Sequence, residues 1–201
     1  MKKRWLLLFV LIAGISVLAI WGLTPVRKGL SARETPTAAE IYAARKLRHW
    51  TTPVAARSLR NPVPADAEML RHGMEHWADH CAVCHANDGS GKTIIGTNLY
   101  PKAPDMRSKE TQTLTDGELY YIIRNGVRMT GMPAWGKPED GAHDHETWML
   151  VLFIRHLPNL TTEELQAMAE LNPKSPSELA EEKEEEQFLS GEDSSTVKPN
   201  R

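Results

Sequence analysis

Five residues, Cys81-Ala82-Val83-Cys84-His85, constrain this chain more than any other stretch. Two thiols two residues apart, with a histidine directly after, form the attachment pattern of a c-type haem. On a helix Cys81 and His85 lie four residues apart on one face, with Cys84 beside them. Both sulfurs then reach one edge of a porphyrin while the imidazole approaches its iron from one side. Two other readings use the same residues. A zinc half-site needs a second ligand pair, and the chain holds two cysteines in all. A thioredoxin-like dithiol needs a βαβ setting, and the flanks carry helical patterns instead.

Both cysteines belong to this pattern, so the cellular compartment has to be read from the N-terminus. Lys2, Lys3 and Arg4 precede an uncharged run of nineteen residues from Trp5 to Leu23. As a helix that run spans about 28 Å, close to the hydrocarbon thickness of a bilayer. The positive flank stays cytoplasmic and the remainder is exported. A cleaved signal peptide is the competing reading. Its apolar region usually runs ~7–15 residues and ends at a small-x-small site. Ser16 and Ala19 make a poor one, and the apolar run continues through Trp21. We therefore expect residues 1–25 to be an uncleaved transmembrane anchor. The formal charge of -2 argues against nucleic acid as a partner, which needs a basic stripe.

Residues 26–64 read as a basic stalk, with eight Lys and Arg against Glu34 and Glu40. Thr37 is placed to cap a helix over 38–47, and Pro53, Pro62 and Pro64 break regular structure beyond it. The charge fits a solvated stalk, or a strip docking on anionic lipid or an acidic partner. The folded domain is expected over 65–160. Gly73, Trp77 and Cys81 recur at steps of four on one helical face, and a glycine there predicts close approach of another helix. His72, His76 and His80 also step by four, which could mark a metal face; the stronger reading is against ligation, since the stripe sits one residue from the buried one and has no cysteine to spare. The glycine-rich stretch Asn87–Gly96 reads as a loop at the haem edge. Pro101 and Pro104 each offer a carbonyl to the non-ligating nitrogen of His85, and the sequence does not choose between them.

Thr115 and Glu118 form a capping box, predicting a helix that stops at Asn125-Gly126. Beyond it, Gly131-Met132-Pro133 presents Met132 as the second axial ligand. The proline holds Met132 extended and the glycine lets the backbone come close. Met129 is its competitor. His143 and His145 lie in an acidic turn and read as surface. Glu146 to Leu157 is the last strong helix of the domain, with Leu150, Phe153 and Leu157 facing Gly73 and Trp77.

These motifs together resemble the class I c-type cytochromes of the membrane-anchored, single-haem bacterial type. The resemblance covers roughly residues 60–160 and includes Arg60-Asn61-Pro62-Val63-Pro64 as a lead-in. Ala86, where many relatives have glycine, and the turn at 140–146 depart from the pattern. The resemblance implies an all-α fold, a cytochrome c-like bundle around one covalent haem c. Cys81 and Cys84 are the expected attachment points, with His85 and Met132 on the iron. With both axial positions filled, it implies one-electron transfer among redox partners at the bacterial inner membrane, on the periplasmic side, with no small-molecule substrate and no catalysis of its own. A haem-bearing subunit of a larger oxidoreductase is the alternative, and a gas sensor or peroxidase-like protein a more distant one. Residues 161–201, with a short helix over 161–171 and the run Glu181–Glu186, are expected to be an acidic, disordered tail.

Overall fold

The computed structural model describes residues 2–28, 31–137 and 144–174, and short pieces at 180–181, 183–184 and 186–187. Among them all regular structure is helical. Helix α1 runs Lys2–Lys28. Its described side chains end at Leu18, and among the described residues no helix is long and apolar enough to cross a membrane. Helix α2, Ala38–Thr51, starts at the predicted Thr37 cap, whose capping box with Glu40 is complete, and continues four residues past the expected end. A short α3, Val54–Arg57, comes next.

Three helices make the core. Asp66 caps α4, Ala67–His76, through the Met69 amide. A π-helical turn, Trp77–Cys81, continues it, and α5, Ala82–His85, completes the run. Short helices α6, Ile94–Asn98, and α7, Lys109–Gln112, stand in the connection to α8, Asp116–Asn125. The Thr115–Glu118 capping box starts α8, and Gly126 stops it at φ +63°. Helix α9, His145–His156, is capped by Asp144 and ends in a 3-10 turn, Leu157–Asn159. His145 is exposed as expected, while His143 lies outside the described residues.

Helix α9 is the central element. It buries Trp148, Leu150, Val151, Phe153 and Ile154 against α4 on one side and α8 on the other. The expected close approach at Gly73 is present: a Cβ there would run into the Met149 carbonyl and sit 3.1 Å from Phe153 Cβ. Phe153 also meets the Trp77 ring, with centroids 5.7 Å apart. On the other side Tyr120 stacks on Trp148 at 4.0 Å.

Two flanking segments join this core. Thr52 and Val63 are buried, and Asn61 donates to the Trp148 carbonyl at 2.9 Å. Gly117 lets α8 approach α3, where a Cβ would collide with the Ala56 carbonyl. At the other end, Thr161 caps α10, Thr162–Leu171, and Met168 of α10 is completely buried. Helix α10 packs on α4 and the π turn.

Candidate functional site

The motif residues occupy the end of the α4–π–α5 run. The π turn arises because the Ala82 amide bonds back to the Trp77 carbonyl, five residues earlier. Such one-turn widenings are rare and concentrate at functional sites. Nothing in the residue pattern marked it, since the spacing of Gly73, Trp77 and Cys81 reads equally well as uninterrupted α-helix.

Cys81 and Cys84 are both free and partly buried. Burial pushes the Cys81 thiol up to about 12, with the neighbouring Cys84 adding to the effect. Burial likewise raises Cys84. Both sulfurs are therefore thiols in apolar surroundings, the opposite of the stabilised thiolates of a metal-binding or redox dithiol. Among the described residues no group of three His, Cys, Asp or Glu side chains is arranged to hold a metal ion, so the zinc reading finds no second ligand pair.

His85 closes α5. Its Nδ1 is buried without a hydrogen-bond partner. Burial lowers its pKa, while the Pro104 carbonyl acts on the ring in the opposite sense without reaching hydrogen-bond geometry. Of the two candidate prolines, Pro104 is thus the one whose carbonyl acts on this ring. Trp77 flanks the same imidazole, with ring centroids 5.7 Å apart. Trp77 Nε1 donates to the Ala86 carbonyl at 3.0 Å. Ala86 itself sits at φ +62°, ψ 159°, a backbone region almost confined to glycine.

The loop after Ala86 is stitched back beneath the motif. The Gly91 amide donates to the His85 carbonyl at 2.8 Å and the Gly89 amide to that of Ala86 at 3.1 Å. Thr93 Oγ1 donates to the Cys84 carbonyl at 3.3 Å. A Cβ on Gly96 would collide with the same Cys84 carbonyl. Arg107 bridges Asp88, at 3.0 Å, and Asp105, at 2.8 Å, tying the loop to the segment that carries Pro104.

The Met132 loop folds back on the end of α8. Trp135 and Gly136 amides donate to the Ile123 and Arg124 carbonyls, each at 3.1 Å, and the Val127 amide donates to the Met132 carbonyl at 3.1 Å. Arg124 reaches onward to the Lys137 carbonyl at 2.7 Å and to Asp144 at 3.2 Å. Gly131 lies against Leu99, which a Cβ would crowd at 2.6 Å. Within this loop Met132 is half-buried, whereas Met129 is 91 % exposed at φ +61°. Trp135 packs edge-on against His80, one residue before the motif, with centroids 5.6 Å apart.

His72, His76 and His80 line a groove of about 560 Å³ with Glu75, Asp79, Asp144, Glu146 and Trp135. Burial and the nearby His80 hold His76 below its ordinary value.

These residues suit a haem. Two partly buried thiols, a half-buried imidazole with an unpartnered nitrogen and, on a separate loop, a half-buried thioether are the residue types such a cofactor would use. Large apolar side chains uncovered beside the motif, Val83, Ile94 and Ile95, suit the same partner.

Residues 68–154 match the family described as cytochrome C oxidase, cbb3-type, subunit III. Over these residues the chain is similar to class I c-type cytochrome domains, a family whose cofactor is covalently bound haem c with its iron. Among curated proteins the chain is similar to the cbb3-type cytochrome c oxidase subunit FixP of Azorhizobium caulinodans, 33% identical over 85 residues. That match covers 40% of this chain and 25% of the relative, so the chain spans about a quarter of it.

Proposed function

We propose that this chain is a haem-bearing electron-transfer subunit of a membrane respiratory oxidase, carrying single electrons without catalysis of its own. The observation that carries the reading is the donor set: paired, partly buried thiols and a half-buried imidazole on one helical run, with a half-buried methionine on the Gly131–Pro133 loop. In it Cys81 and Cys84 attach the haem, and His85 and Met132 ligate its iron. The relative's name as an oxidase subunit favours this over a freely diffusing carrier.

The haem supplies a one-electron couple that histidine–methionine ligation tunes to high potential. The chain's own part is to hold position and exclude water. The Trp77 ring packs at a tilt against the His85 ring, and the Pro104 carbonyl acts on it electrostatically. The Met132 loop, bonded to α8 through Trp135 and Gly136, keeps the thioether in place. With His85 and Met132 both holding the iron, no open position would remain for a substrate.

We read the organisation as anchor 1–25, basic stalk 26–64, a haem domain from 65 that takes in the docked α10, and an acidic tail beyond it in place of the one expected from 161. The uncharged run Trp5–Leu23 within the continuous helix α1 supports the anchor, and the Lys2-Lys3-Arg4 flank supports a periplasmic haem domain.

Optical spectra of the full chain in detergent, oxidised and reduced, test the ligands. The expected result is low-spin haem with a far-red sulfur-to-iron band that Met132→Ala removes and Met129→Ala leaves. Carbon monoxide should leave the reduced wild type unchanged. A high-spin spectrum that shifts with carbon monoxide would overturn the Met132 assignment and open catalysis or gas sensing instead.

A further inference from the structure

Helix α2 has two faces, and the haem domain uses one. On that face His49 Nδ1 lies 3.2 Å from Glu118 Oε1, and Arg57 donates to His49 Nε2 at 2.9 Å. Arg48 and Arg45, further along this face, act electrostatically on Glu118 and Glu110; Glu40, which accepts from Tyr100 at 3.1 Å, belongs to the first turn and lies beside the other stripe. On the other face Ala39, Ala43, Leu47 and Trp50 recur at steps of four, four and three, which places them on one stripe. Val54, at the start of α3, comes next along the chain. Leu47 is 61 %, Trp50 75 % and Val54 73 % exposed, and no residue of α2 is buried.

An apolar stripe with a tryptophan, on a helix that also carries cations, is the composition of a helix lying in a bilayer interface. Charge and position name the surface. The segment 26–64 has eight Lys and Arg against two carboxylates, which draws it to anionic headgroups. Nine residues separate Lys28 from Ala38, a link of at most ~32 Å, so a bilayer holding α1 is always within reach.

We propose that α2 lies on an anionic phospholipid surface, with Leu47, Trp50 and Val54 in the headgroup boundary and the haem domain on its opposite face. This rests on reading α1 as the membrane anchor. Because His49 and Arg48 engage Glu118 of α8, docking of α2 fixes how the haem domain faces the membrane as well as how far from it the domain stands.

The test is hydroxyl-radical footprinting of the full haem-loaded chain in nanodiscs of phosphatidylcholine alone, or with roughly a quarter phosphatidylglycerol. Trp135, 40 % exposed and remote in sequence, serves as the internal reference. The expected result is a several-fold fall in Trp50 and Leu47 oxidation in the anionic discs, with Trp135 unchanged. The Leu47→Glu/Trp50→Lys double variant, at exposed positions and with an unchanged haem spectrum, should lose the shielding measured at Val54. Equal Trp50 oxidation in both discs, with the chain incorporated, overturns the proposal. Equal shielding in phosphatidylcholine alone also overturns it, since charge then selects nothing, as does shielding that appears only with an added acidic protein. A chain that does not enter either disc overturns the anchor reading instead.

Discussion

At the residue scale the site is held by a few positions whose backbone or packing leaves little freedom. Ala86 shows this best. Its φ of +62° puts Cβ in a region where side chains cost ~1–3 kcal/mol, and it is retained by the Trp77 indole and Gly89 amide on its carbonyl. Ala86→Gly should therefore stabilise the fold by roughly 1 kcal/mol, the strain relief less the added unfolded-state freedom, in thermal or urea unfolding by circular dichroism. A lower midpoint would mean that the strain is not felt in solution. The departure from the usual glycine was visible in the residues alone. Its consequence needed the dihedral angle, because alanine adopts this conformation only under tertiary constraint. Gly73 was fully legible, since a glycine four residues before an aromatic and eight before the thiols has no helical purpose except close approach. The choice of Met132 over Met129 rests on its neighbours Gly131 and Pro133. Their different exposure is consistent with that choice.

At the element scale, helix starts were the most readable features, because a capping box places both partners three residues apart. The Thr115–Glu118 box has a second role. Burial would raise the Glu118 carboxyl, yet hydrogen bonds from the Thr115 amide and from His49 hold it below its ordinary value of 4.5. A depressed carboxylate stabilises the fold above its unfolded pKa and loses that stabilisation as pH falls through the folded one. Glu118→Gln should thus cost about 1 kcal/mol at neutral pH, and the difference from wild type should shrink below pH 4.5 in urea titrations. A gap independent of pH would assign the loss to packing. The π turn and the docking of α10 were not legible. Widening a helical turn depends on what packs around it, and the apolar residues of α10 have the same spacing whether the helix docks or stands in solvent. Met168 is completely buried, so Met168→Ala should cost ~2–5 kcal/mol in the same unfolding assay. A cost near zero would return α10 to the tail.

At the scale of the whole molecule, the core is small and the cofactor is part of it. Fourteen apolar side chains are buried among the described residues, while Val83, Ile94 and Ile95 beside the motif remain uncovered. Folds of this size gain proportionally more from each added apolar surface. Replacing both Cys81 and Cys84 by alanine, which removes attachment, should broaden the unfolding transition and lower its midpoint by circular dichroism. An unchanged cooperative transition would show that the helices suffice alone. On the function proposed above, the long run from α4 to α5 has to serve two neighbours, α9 on the Gly73–Trp77 side and the cofactor at Cys81–His85. The widened turn between them sets the rotational phase of one relative to the other. Deleting a single residue from 78–80 would keep every recognised residue type and restore an ordinary helix, yet swing both thiols around the axis relative to α9. The chain thus encodes an angle that no motif spells out, and relatives with a shorter approach to the same pentapeptide would have to aim it by tilting the helix instead.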